Sequence, residues 1–368
     1  MPHRRLASLD ALRGFDMFWI MSGEQIVHAL ARVTGWSVFV WMSDQLHHTV
    51  WNGFTFYDMI FPLFLFMAGV SMPFSFGGKD ARTLYPSMIR RMLILVLLGV
   101  VVNGGLRLEG FHETRFASVL GRIGIAWFLA GLLYLNTSPR GLMAWLAGLL
   151  LGYWALMEWI PVPGYGAGVL TMQGSLESYI DRLLLPGRLH DGVHDPEGVL
   201  STLPAVGTAL LGVFAGRFLK GEQSSLTRVP FTPLHKSLLL AAAGLGLLGL
   251  GLAWDPWFPI NKRLWTSSFV LYAGGWSVLL LALFYLVVDV LGWKRWAAPF
   301  IWVGTNSILI YLASEGLVNF GYTAQALTGG LVRLSPALWQ PVWTAASVTM
   351  VQLALLYFFY HKKWFLKI

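Results

Sequence analysis

Apolar runs long enough to cross a lipid bilayer recur along the whole chain, and they constrain its fold more than any other feature. A hydrocarbon core about 30 Å thick is spanned by roughly 20 apolar residues in a helix. Because lipid offers no hydrogen bonds to an open backbone, such runs must form helices that satisfy their own amides. The chain is therefore predicted to be an all-α, polytopic membrane bundle that forms one transmembrane domain over residues 1–368.

About ten spans satisfy this criterion. Their approximate limits are 11–31, 55–76, 87–106, 117–136, 140–158, 199–219, 236–254, 266–290, 297–318 and 338–360. An even number of spans places both termini on one side of the membrane. Lys and Arg concentrate in the loops of that side, including Arg4 and Arg5 near the start and Lys362, Lys363 and Lys367 near the end. By the positive-inside rule, both termini are predicted to be cytoplasmic.

The same topology places the loop over residues 32–54 and the long segment 159–198 outside. The segment 159–198 is rich in Pro and Gly at its start and polar at its end, so we expect a structured external cap rather than a separate domain. We find no convincing internal repeat, which weakens an interpretation as an inverted-repeat transporter.

Composition excludes several other classes of protein. Only 12% of the residues are charged, against about 25% in soluble domains. The absence of cysteine removes disulfides, thiolate metal sites and thiol nucleophiles. The net charge of +8 fits cytoplasmic loops, and no basic cluster is interleaved with exposed aromatic residues, so nucleic-acid binding is not expected. No zinc pattern or P-loop occurs and the nine His are scattered, so no metal site is expected.

His48 stands at the mouth of the second predicted span, and Asp58 enters the same helix. An ionisable residue is costly in a bilayer, so this pair is a candidate functional site. The intervening Trp51-Asn52-Gly53 supports this interpretation, since Asn can fix a substrate or an imidazole. Asp58 can hold the tautomer of the imidazole and stabilise its protonated form. The alternative is that His48 is a hydrogen-bonded loop residue at the interface, and His47 competes for the role.

Charged residues also line the first predicted span. Asp10, Arg13 and Asp16 are spaced so that they lie close to one face of a helix. They form either a buried ion-pair lock between helices or a site at which Arg13 meets an anionic ligand. Glu24, two turns further, adds a carboxylate near the outer end of the span.

Polar residues precede or interrupt several later spans. The stretch 195–204 has Pro and acidic residues before the sixth span, which favours a capped helix start. The stretch 259–268 is more polar than an interface anchor requires. Arg122 in the fourth span has no evident partner in the sequence, and Asn306 and Glu315 are polar residues inside the ninth.

Several strings resemble the heparan-α-glucosaminide N-acetyltransferase family and its bacterial relatives. They are SLDALRGFDMFWI, HTVWNGFTFYDMIFPLFLFMAGVSM, VLGRIGIA, DPEGVLSTLPAVGTALLG, INKRLWTSSFVLYAGG and PFIWVGTNSILIY, which occur in this order and span most of the chain. The resemblance implies a transmembrane acetyltransferase that takes acetyl-CoA from the cytoplasm and acetylates the amine of a glucosamine-type sugar on the far side. The histidine of the family's H-x-x-W-N-G motif falls on His48 rather than His47, and the aspartate that follows falls on Asp58.

The resemblance also bears on the setting and the acceptor. The missing N-terminal extension and the short loops suggest a bacterial inner membrane, with the lipid bilayer around the bundle, and the resemblance then implies an active site toward the periplasm. Small-residue faces of such bundles are compatible with a homodimer. Because the chain begins directly at SLDALRG, we expect a smaller amino sugar than polymeric heparan sulfate as the acceptor.

An amine attacks a thioester only when it is uncharged, so a base with a pKa near neutrality is useful, and His is such a base. His48 either deprotonates the amine in a ternary complex or carries the acetyl group as an acyl-imidazole. We favour direct transfer because an acyl-imidazole hydrolyses readily at a wet interface. Asn52, or the pair Asn261 and Lys262, is a candidate to stabilise the oxyanion.

The remaining site residues are assigned by ligand. The expected substrate-binding residues are Trp51, Glu24, Asn261, Lys262 and Trp265. The expected ligands of the CoA phosphates are Arg13, Arg90 and Arg91, because Arg matches phosphate geometry. For Arg90 and Arg91, positive-inside signalling is an equally good explanation.

Two rival functions remain open. The first is an O-acetyltransferase of envelope polysaccharide, which differs in acetylating a hydroxyl rather than an amine. The second is an amino-sugar permease in which Asp58 and His48 form a proton relay. The permease predicts accumulation of substrate in vesicles without acetyl-CoA and without an acetylated product.

Overall fold

The computed structural model describes residues 6–107, 110–221 and 231–366. Within these ranges the chain is helical, and its only β-type pairings are isolated bridges from Arg115 to Gly187 and from Val162 to Gly166. The predicted all-α architecture is confirmed. Arg4, Arg5, Arg228 and Lys367 lie outside the described residues.

Fifteen α-helices form the described part of the chain. They are α1 (Ala7–Phe18), α2 (Glu24–Thr34), α3 (Ser37–Gln45), α4 (Ile60–Phe76), α5 (Ala81–Val102), α6 (Val119–Asn136), α7 (Pro139–Trp159), α8 (Leu176–Leu184), α9 (Thr202–Lys220), α10 (Pro233–Trp254), α11 (Ser267–Phe284), α12 (Ala298–Thr305), α13 (Ser307–Leu312), α14 (Phe320–Leu334) and α15 (Gln340–His361). A π-helical turn, Trp19–Gly23, joins α1 to α2 without a break.

Eight helices in the described ranges are long and apolar enough to cross a membrane. They are Phe56–Phe76, Ala81–Val102, Val119–Asn136, Pro139–Trp159, Thr202–Lys220, Pro233–Trp254, Ser267–Val290 and Ala337–His361. Each coincides with a predicted span, and the protein is an integral membrane protein.

The other two predicted spans are helical but interrupted. The span at 11–31 falls on α1, the π turn and α2, which carry several charged side chains. The span at 297–318 falls on α12, α13 and a second π-helical turn, Ala313–Leu317. Non-helical backbone at membrane depth is tolerated where it is buried in protein or lines a cavity.

The helices are grouped into two compact units. In its described residues, unit 1 holds 6–49, 55–60 and 283–366. Its helices α1 and α12 pack closely, since a Cβ on Gly14 would lie 1.7 Å from the carbonyl oxygen of Phe300. Met17, Val303, Ile310, Phe320 and Leu356 belong to its core. Small residues at such crossings let membrane helices approach.

Unit 2 holds residues 50–54 and the described residues between 61 and 282. Its core includes Tyr153, Met157, Leu176, Phe258 and Leu264, with the indole of Trp51 packed against them. The segment 159–198 lies within this unit and contains α8. Residues predicted from the sequence to form an external cap thus include a helix with one buried face. The side of the membrane on which they lie stays a prediction.

Candidate active site

His48 and Asp58 are in contact within unit 1. The imidazole Nδ1 of His48 lies 2.8 Å from Oδ1 of Asp58. The carboxylate is buried, with 1% of its side chain exposed, whereas 48% of the His48 side chain is exposed. A buried carboxylate therefore supports an imidazole that a ligand can reach.

A short helical turn fixes the Asp58 carboxylate. Thr55 and Asp58 form a capping box at the start of the 3₁₀ turn Phe56–Met59, which leads into α4. Oδ2 of Asp58 accepts hydrogen bonds from the amides and hydroxyls of Thr49 and Thr55 at 3.0 to 3.3 Å. Such reciprocal bonds satisfy donors that a helix start leaves open, and here they also orient a carboxylate.

These bonds determine the tautomer of His48. Donors surround the Asp58 carboxylate, so it acts as an acceptor toward the imidazole. The Nδ1 atom of His48 accordingly carries the proton and donates it to Asp58, which leaves the lone pair on Nε2. A neutral imidazole in this state is prepared to accept a proton from a bound ligand.

Tyr57 connects this pair to the predicted substrate-binding residue Glu24. Its ring lies 4.8 Å from that of His48, between centroids, and its hydroxyl lies within electrostatic range of the Glu24 carboxylate. The carboxylates of Glu315 and Asp16 lie within electrostatic range of the same hydroxyl. Unit 1 thus brings together His48, Asp58 and Glu24.

The predicted residues of unit 2 form a second set. Oδ1 of Asn52 accepts a hydrogen bond from Nδ2 of Asn261 at 3.0 Å, and the amide of Gly53 donates to the Ile260 carbonyl at 2.8 Å. Trp51 donates from Nε1 to the carbonyl of Leu170 at 2.8 Å. The Asn52 side chain is exposed, while Asn261 is buried.

Asn261 and Trp265 are both engaged inside the protein. Oδ1 of Asn261 accepts from the amide of Leu264 at 2.8 Å. Trp265 is 1% exposed, and its Nε1 donates to Thr208. Lys262 between them is half-buried. These positions favour a supporting role for Asn261 and Trp265, and direct substrate contact by any of the three stays a prediction.

The three arginines predicted to bind CoA lie in different surroundings. Arg13 in unit 1 has its Nη1 3.6 Å from Oδ1 of Asp10 on the same helix, so this contact does not test the predicted ion-pair lock between helices. In unit 2, Arg90 is exposed and the Arg91 guanidinium lies 4.3 Å from the ring centroid of Trp127. Arg90 is accessible to a phosphate group, and the role of all three stays a prediction.

The acidic residues before α9 do not cap that helix. Ser201, at its N-cap, makes no side-chain capping bond, so the predicted capped start is wrong in this respect. The guanidinium of Arg115 instead binds both oxygens of Asp195, at 2.6 and 2.8 Å, and also Glu197. Burial raises the pKa of the Asp195 carboxyl, but the hydrogen bonds and charge of Arg115 outweigh it and lower the pKa.

A buried cluster of ionisable groups lies behind this ion pair. His194 Nδ1 is 2.9 Å from both Ser178 Oγ and Glu177 Oε2, and the Asp181 carboxyl lies within electrostatic range of that of Glu177. Burial raises the pKa values of Glu177 and Asp181 to about 8 each and lowers the pKa of His194 to about 4. The His194 ring also packs against the indole of Trp51, at 5.6 Å.

Arg122 completes this cluster from α6. It is 2% exposed, and its Nη2 donates to the Gly198 carbonyl at 3.1 Å and to the Ser201 hydroxyl. The guanidinium also lies 5.1 Å from the ring centroid of Trp265. The charge that has no evident partner in the sequence is therefore held by residues that follow it by nearly eighty positions.

Comparisons with known proteins identify the family of this chain. The sequence profile described as heparan-alpha-glucosaminide N-acetyltransferase, catalytic, matches residues 5–246, which is more than half of the chain. This chain belongs to the heparan-α-glucosaminide N-acetyltransferase family. Its match takes in His48, Asp58, Arg122 and the cap segment 159–198, whereas Asn261 and the residues after it lie beyond the profile.

Two relatives carry the family name. The mouse heparan-alpha-glucosaminide N-acetyltransferase is 31% identical over 336 residues, which cover 74% of this chain and 49% of the mouse protein. The human protein of the same name is 29% identical over the same extent. This chain spans about half the length of these relatives. The family is that of transmembrane acetyltransferases, and the predicted family membership is confirmed.

Sequence reasoning missed two parts of the site. Tyr57 stands in an apolar run, where tyrosine is common at membrane interfaces, so nothing in the sequence distinguishes it. The cluster of Glu177, Asp181 and His194 lies in a loop-rich segment whose polar residues resemble an ordinary surface. The available signal in the sequence was a histidine and a carboxylate close to a small residue, Gly198. In the structure, a Cβ on Gly198 would lie 1.9 Å from Oδ2 of Asp181.

Proposed function

We propose that this protein transfers the acetyl group of acetyl-CoA to the amine of a glucosamine-type sugar, with His48 as the general base. The observation that supports the proposal is the 2.8 Å contact between Nδ1 of His48 and the buried Asp58 carboxylate. A carboxylate in this position holds the imidazole in one tautomer and stabilises its protonated form. The family and its named relatives supply the reaction class.

The reaction proceeds by direct transfer. The uncharged amine of the sugar attacks the thioester carbon, and Nε2 of His48 accepts a proton from the nitrogen as the N–C bond forms. The C–S bond then breaks, and the imidazolium returns this proton to the sulfur, so that CoA leaves as a thiol. Asp58 stays ionised throughout and balances the charge on the imidazolium. Asn52, which is exposed and fixed by Asn261, is the proposed amide donor to the oxyanion.

The donor and the acceptor approach from opposite sides in this proposal. Arg13, Arg90 and Arg91 bind the phosphates of acetyl-CoA at the cytoplasmic side, where both termini also lie. Trp51, Glu24 and Lys262 contact the sugar at the periplasmic side of a bacterial inner membrane. Asn261 supports the string Trp51-Asn52-Gly53 through its hydrogen bond to Asn52, and Trp265 contributes from the buried interior of unit 2.

The test uses purified protein in detergent with labelled acetyl-CoA and glucosamine. The native protein should move label to the sugar amine, His48→Ala should lose this transfer, and His47→Ala should keep it as the matched control. Label that stays on the native protein when sugar is omitted, and that His48→Ala does not acquire, would replace direct transfer by an acetyl-histidine route.

The rival functions give different results in the same assay. Transfer to a hydroxyl but never to an amine would support the O-acetyltransferase. Uptake of amino sugar into vesicles without acetyl-CoA, and no acetylated product, would support the permease and overturn the proposal.

A further inference from the structure

We infer that a polar groove in unit 1, formed by α2, α14 and α15, binds the phosphate headgroup of an anionic phospholipid. The inference goes beyond the proposed function, because this lipid is neither the donor nor the acceptor of the acetyl group. It uses only residues of unit 1, and its test requires no catalysis.

Two adjacent cavities make up the groove. The larger, of about 590 Å³, lies between α14 and α15, and the smaller, of about 520 Å³, lies between α2 and α15. Gln340 and Thr344, on the first turns of α15, line both cavities. Both volumes fall within the range of about 300–1,000 Å³ that small-molecule sites occupy. The groove therefore has room for a headgroup on either side of α15.

The charged residues that line the groove are basic. Arg333 lines the larger cavity, Arg32 and His28 line the smaller, and no Asp or Glu lines either one. Both arginines are exposed, and in the described part of the chain neither pairs with a carboxylate. Arg32 donates from Nε to the His28 carbonyl at 3.3 Å, which leaves both of its Nη atoms available. Glu24 lies within electrostatic range of His28 but lines neither cavity. The groove is thus complementary to an anion.

The neutral residues of the lining favour an anion with several oxygens. Gln25, Gln325 and Gln340 supply side-chain amides, and Thr328 and Thr344 supply hydroxyls. A guanidinium matches two oxygens of a phosphate at once, and amide and hydroxyl donors can bond to the remaining oxygens. Arginines at a membrane surface also attract anionic lipids. The lining therefore fits a phosphate ester.

Exposed tryptophans place the groove at the level of the lipid headgroups. Trp343 lies on α15 between Gln340 and Thr344 and is 50% exposed, and Trp36 follows Arg32 by four residues and is 64% exposed. Tryptophan concentrates at membrane–water interfaces, where its ring lies among the headgroups. The phosphate that is abundant at this level is that of a phospholipid.

Helix α14 supplies a surface for the acyl chains of the same lipid. Its 15 residues are too few to cross a hydrocarbon core, which takes about 20. Leu327, Leu331 and Leu334 form one apolar stripe and are 70, 72 and 84% exposed. At about 100° per residue, Gln325 and Arg333 in the larger cavity lie on the opposite side of the helix. An amphipathic helix of this kind lies in the interface with its apolar side toward the acyl chains.

The smaller cavity adjoins the loop that carries His48. The ring of His28, which lines this cavity, stacks on that of His47 with 4.5 Å between centroids. The His47 carbonyl accepts a hydrogen bond at 2.6 Å from the hydroxyl of Thr55, which also bonds to Asp58. A headgroup in this cavity therefore contacts a residue that packs on the loop of His48 and Asp58.

The experiment uses the full chain, purified in detergent and stripped of lipid. Dioleoylphosphatidylglycerol is added, and the bound fraction is measured by native mass spectrometry. We expect saturable binding, and at least about 10-fold weaker binding of dioleoylglycerol, which lacks the phosphate. Arg32→Gln and Arg333→Gln should each weaken the binding of phosphatidylglycerol about 10-fold, as the loss of a charged hydrogen bond does. Arg188→Gln, which removes an exposed arginine of unit 2, is the matched control and should leave binding unchanged.

Equal affinity of the native protein and both glutamine variants would overturn the inference, as would equal binding of dioleoylglycerol. Inorganic phosphate that displaces the lipid at equal concentration would also overturn it, because the site would then take a soluble phosphate. Arg32→Lys and Arg333→Lys keep the charge but lose the planar fork, so each should retain part of the affinity, which separates phosphate recognition from a folding defect.

Thermal unfolding gives a second measurement. A ligand that binds only the folded state raises the thermal midpoint, so phosphatidylglycerol should stabilise the native protein and Arg188→Gln alike. The double variant Arg32→Gln and Arg333→Gln should have the native midpoint without lipid and gain much less from the lipid. Equal stabilisation of the native protein and the double variant would show that the lipid acts elsewhere on the protein.

Discussion

Asn261 donates a hydrogen bond from its side-chain amide to the side-chain oxygen of Asn52, at 3.0 Å and across 209 residues of sequence. A backbone bond from Gly53 to Ile260 runs beside it. The string Trp51-Asn52-Gly53 is thereby fixed to a buried loop before α11. The sequence places the Asn52 amide in a surface loop. In the structure this exposed amide is held in one orientation by Asn261.

Asn261→Ala should destabilise the protein, whereas Asn52→Ala should affect activity more than stability. Asn261 is buried, and its loss leaves the amide of Leu264 and the Asn52 oxygen without partners, which costs about 1–3 kcal/mol. Asn52 is exposed, so its loss should change unfolding by less than about 0.5 kcal/mol. If it contacts the oxyanion, kcat should fall about 100-fold or more. Thermal midpoints and kcat of both variants measure the contrast, and a larger stability loss in Asn52→Ala would refute it.

Asp58→Asn should abolish most activity without removing the side chain. An amide at this position cannot accept all the donors of Thr49 and Thr55, and it no longer imposes the tautomer that leaves Nε2 of His48 unprotonated. In a related His–carboxylate arrangement the same change lowers kcat by about 10⁴-fold. Asp44→Asn, which removes an exposed carboxylate nearby, is the control. Similar kcat values for the two variants would contradict the assigned role of Asp58.

Arg122→Gln should be among the most destabilising single substitutions in unit 2. The change breaks the buried hydrogen bonds to the Gly198 carbonyl and the Ser201 hydroxyl. A buried polar group left without its partner costs about 1–3 kcal/mol, and more where the lost donor is charged. Arg188→Gln, at an exposed position, should stay within about 0.5 kcal/mol of the native protein. Denaturation in detergent measures both, and a mild effect at Arg122 would show that its bonds to Gly198 and Ser201 contribute little to stability.

The buried cluster should make stability depend on pH. The pKa values of Glu177 and Asp181 are raised from 4.5 and 3.8 to about 8, so the folded state holds more protons than the unfolded state between these values. Their contribution is complete at low pH and is lost as the pH rises through about 8. His194 acts oppositely, since its pKa is lowered from 6.5 to about 4, and its contribution is lost as the pH falls below 6.5.

Between pH 6.5 and about 8.5 only the two carboxyls change, and the thermal midpoint should fall as the pH rises. Asp181→Asn should flatten this slope, because Asn keeps the contact to the Val199 amide without an ionisable group. Arg115 and Asp195 stay charged over the range and do not contribute to the slope. A midpoint that rises with pH, or an identical slope in Asp181→Asn, would show that the carboxyls are not protonated in the folded protein.

The sequence predicted the helices well and the polar contacts poorly, for a physical reason. A membrane span is encoded locally by about 20 consecutive apolar residues, so the limits of α6 and α9 could be predicted to within a few residues. The pairing of His48 with Asp58 could be suspected because both flank one helix start. The partners of Arg122 come from a distant loop, and a hydrogen bond between distant residues leaves no periodic trace. The π turn at Trp19–Gly23 likewise has no sequence pattern that would reveal it.

That π turn determines which residue after Asp16 faces the same direction as Asp16 does, and Glu24 lies eight positions after it. An α-helix turns about 100° per residue, and a π turn holds one residue more than an α turn. Residues eight positions apart then face the same direction, as residues seven apart do in an uninterrupted helix. Deleting one residue from the turn would restore a plain α-helix in which Asp16 and Glu24 are seven positions apart and still face the same direction. A single-residue gap at this point of an alignment would therefore indicate loss of the π turn, with the side chains on either side of it kept in register.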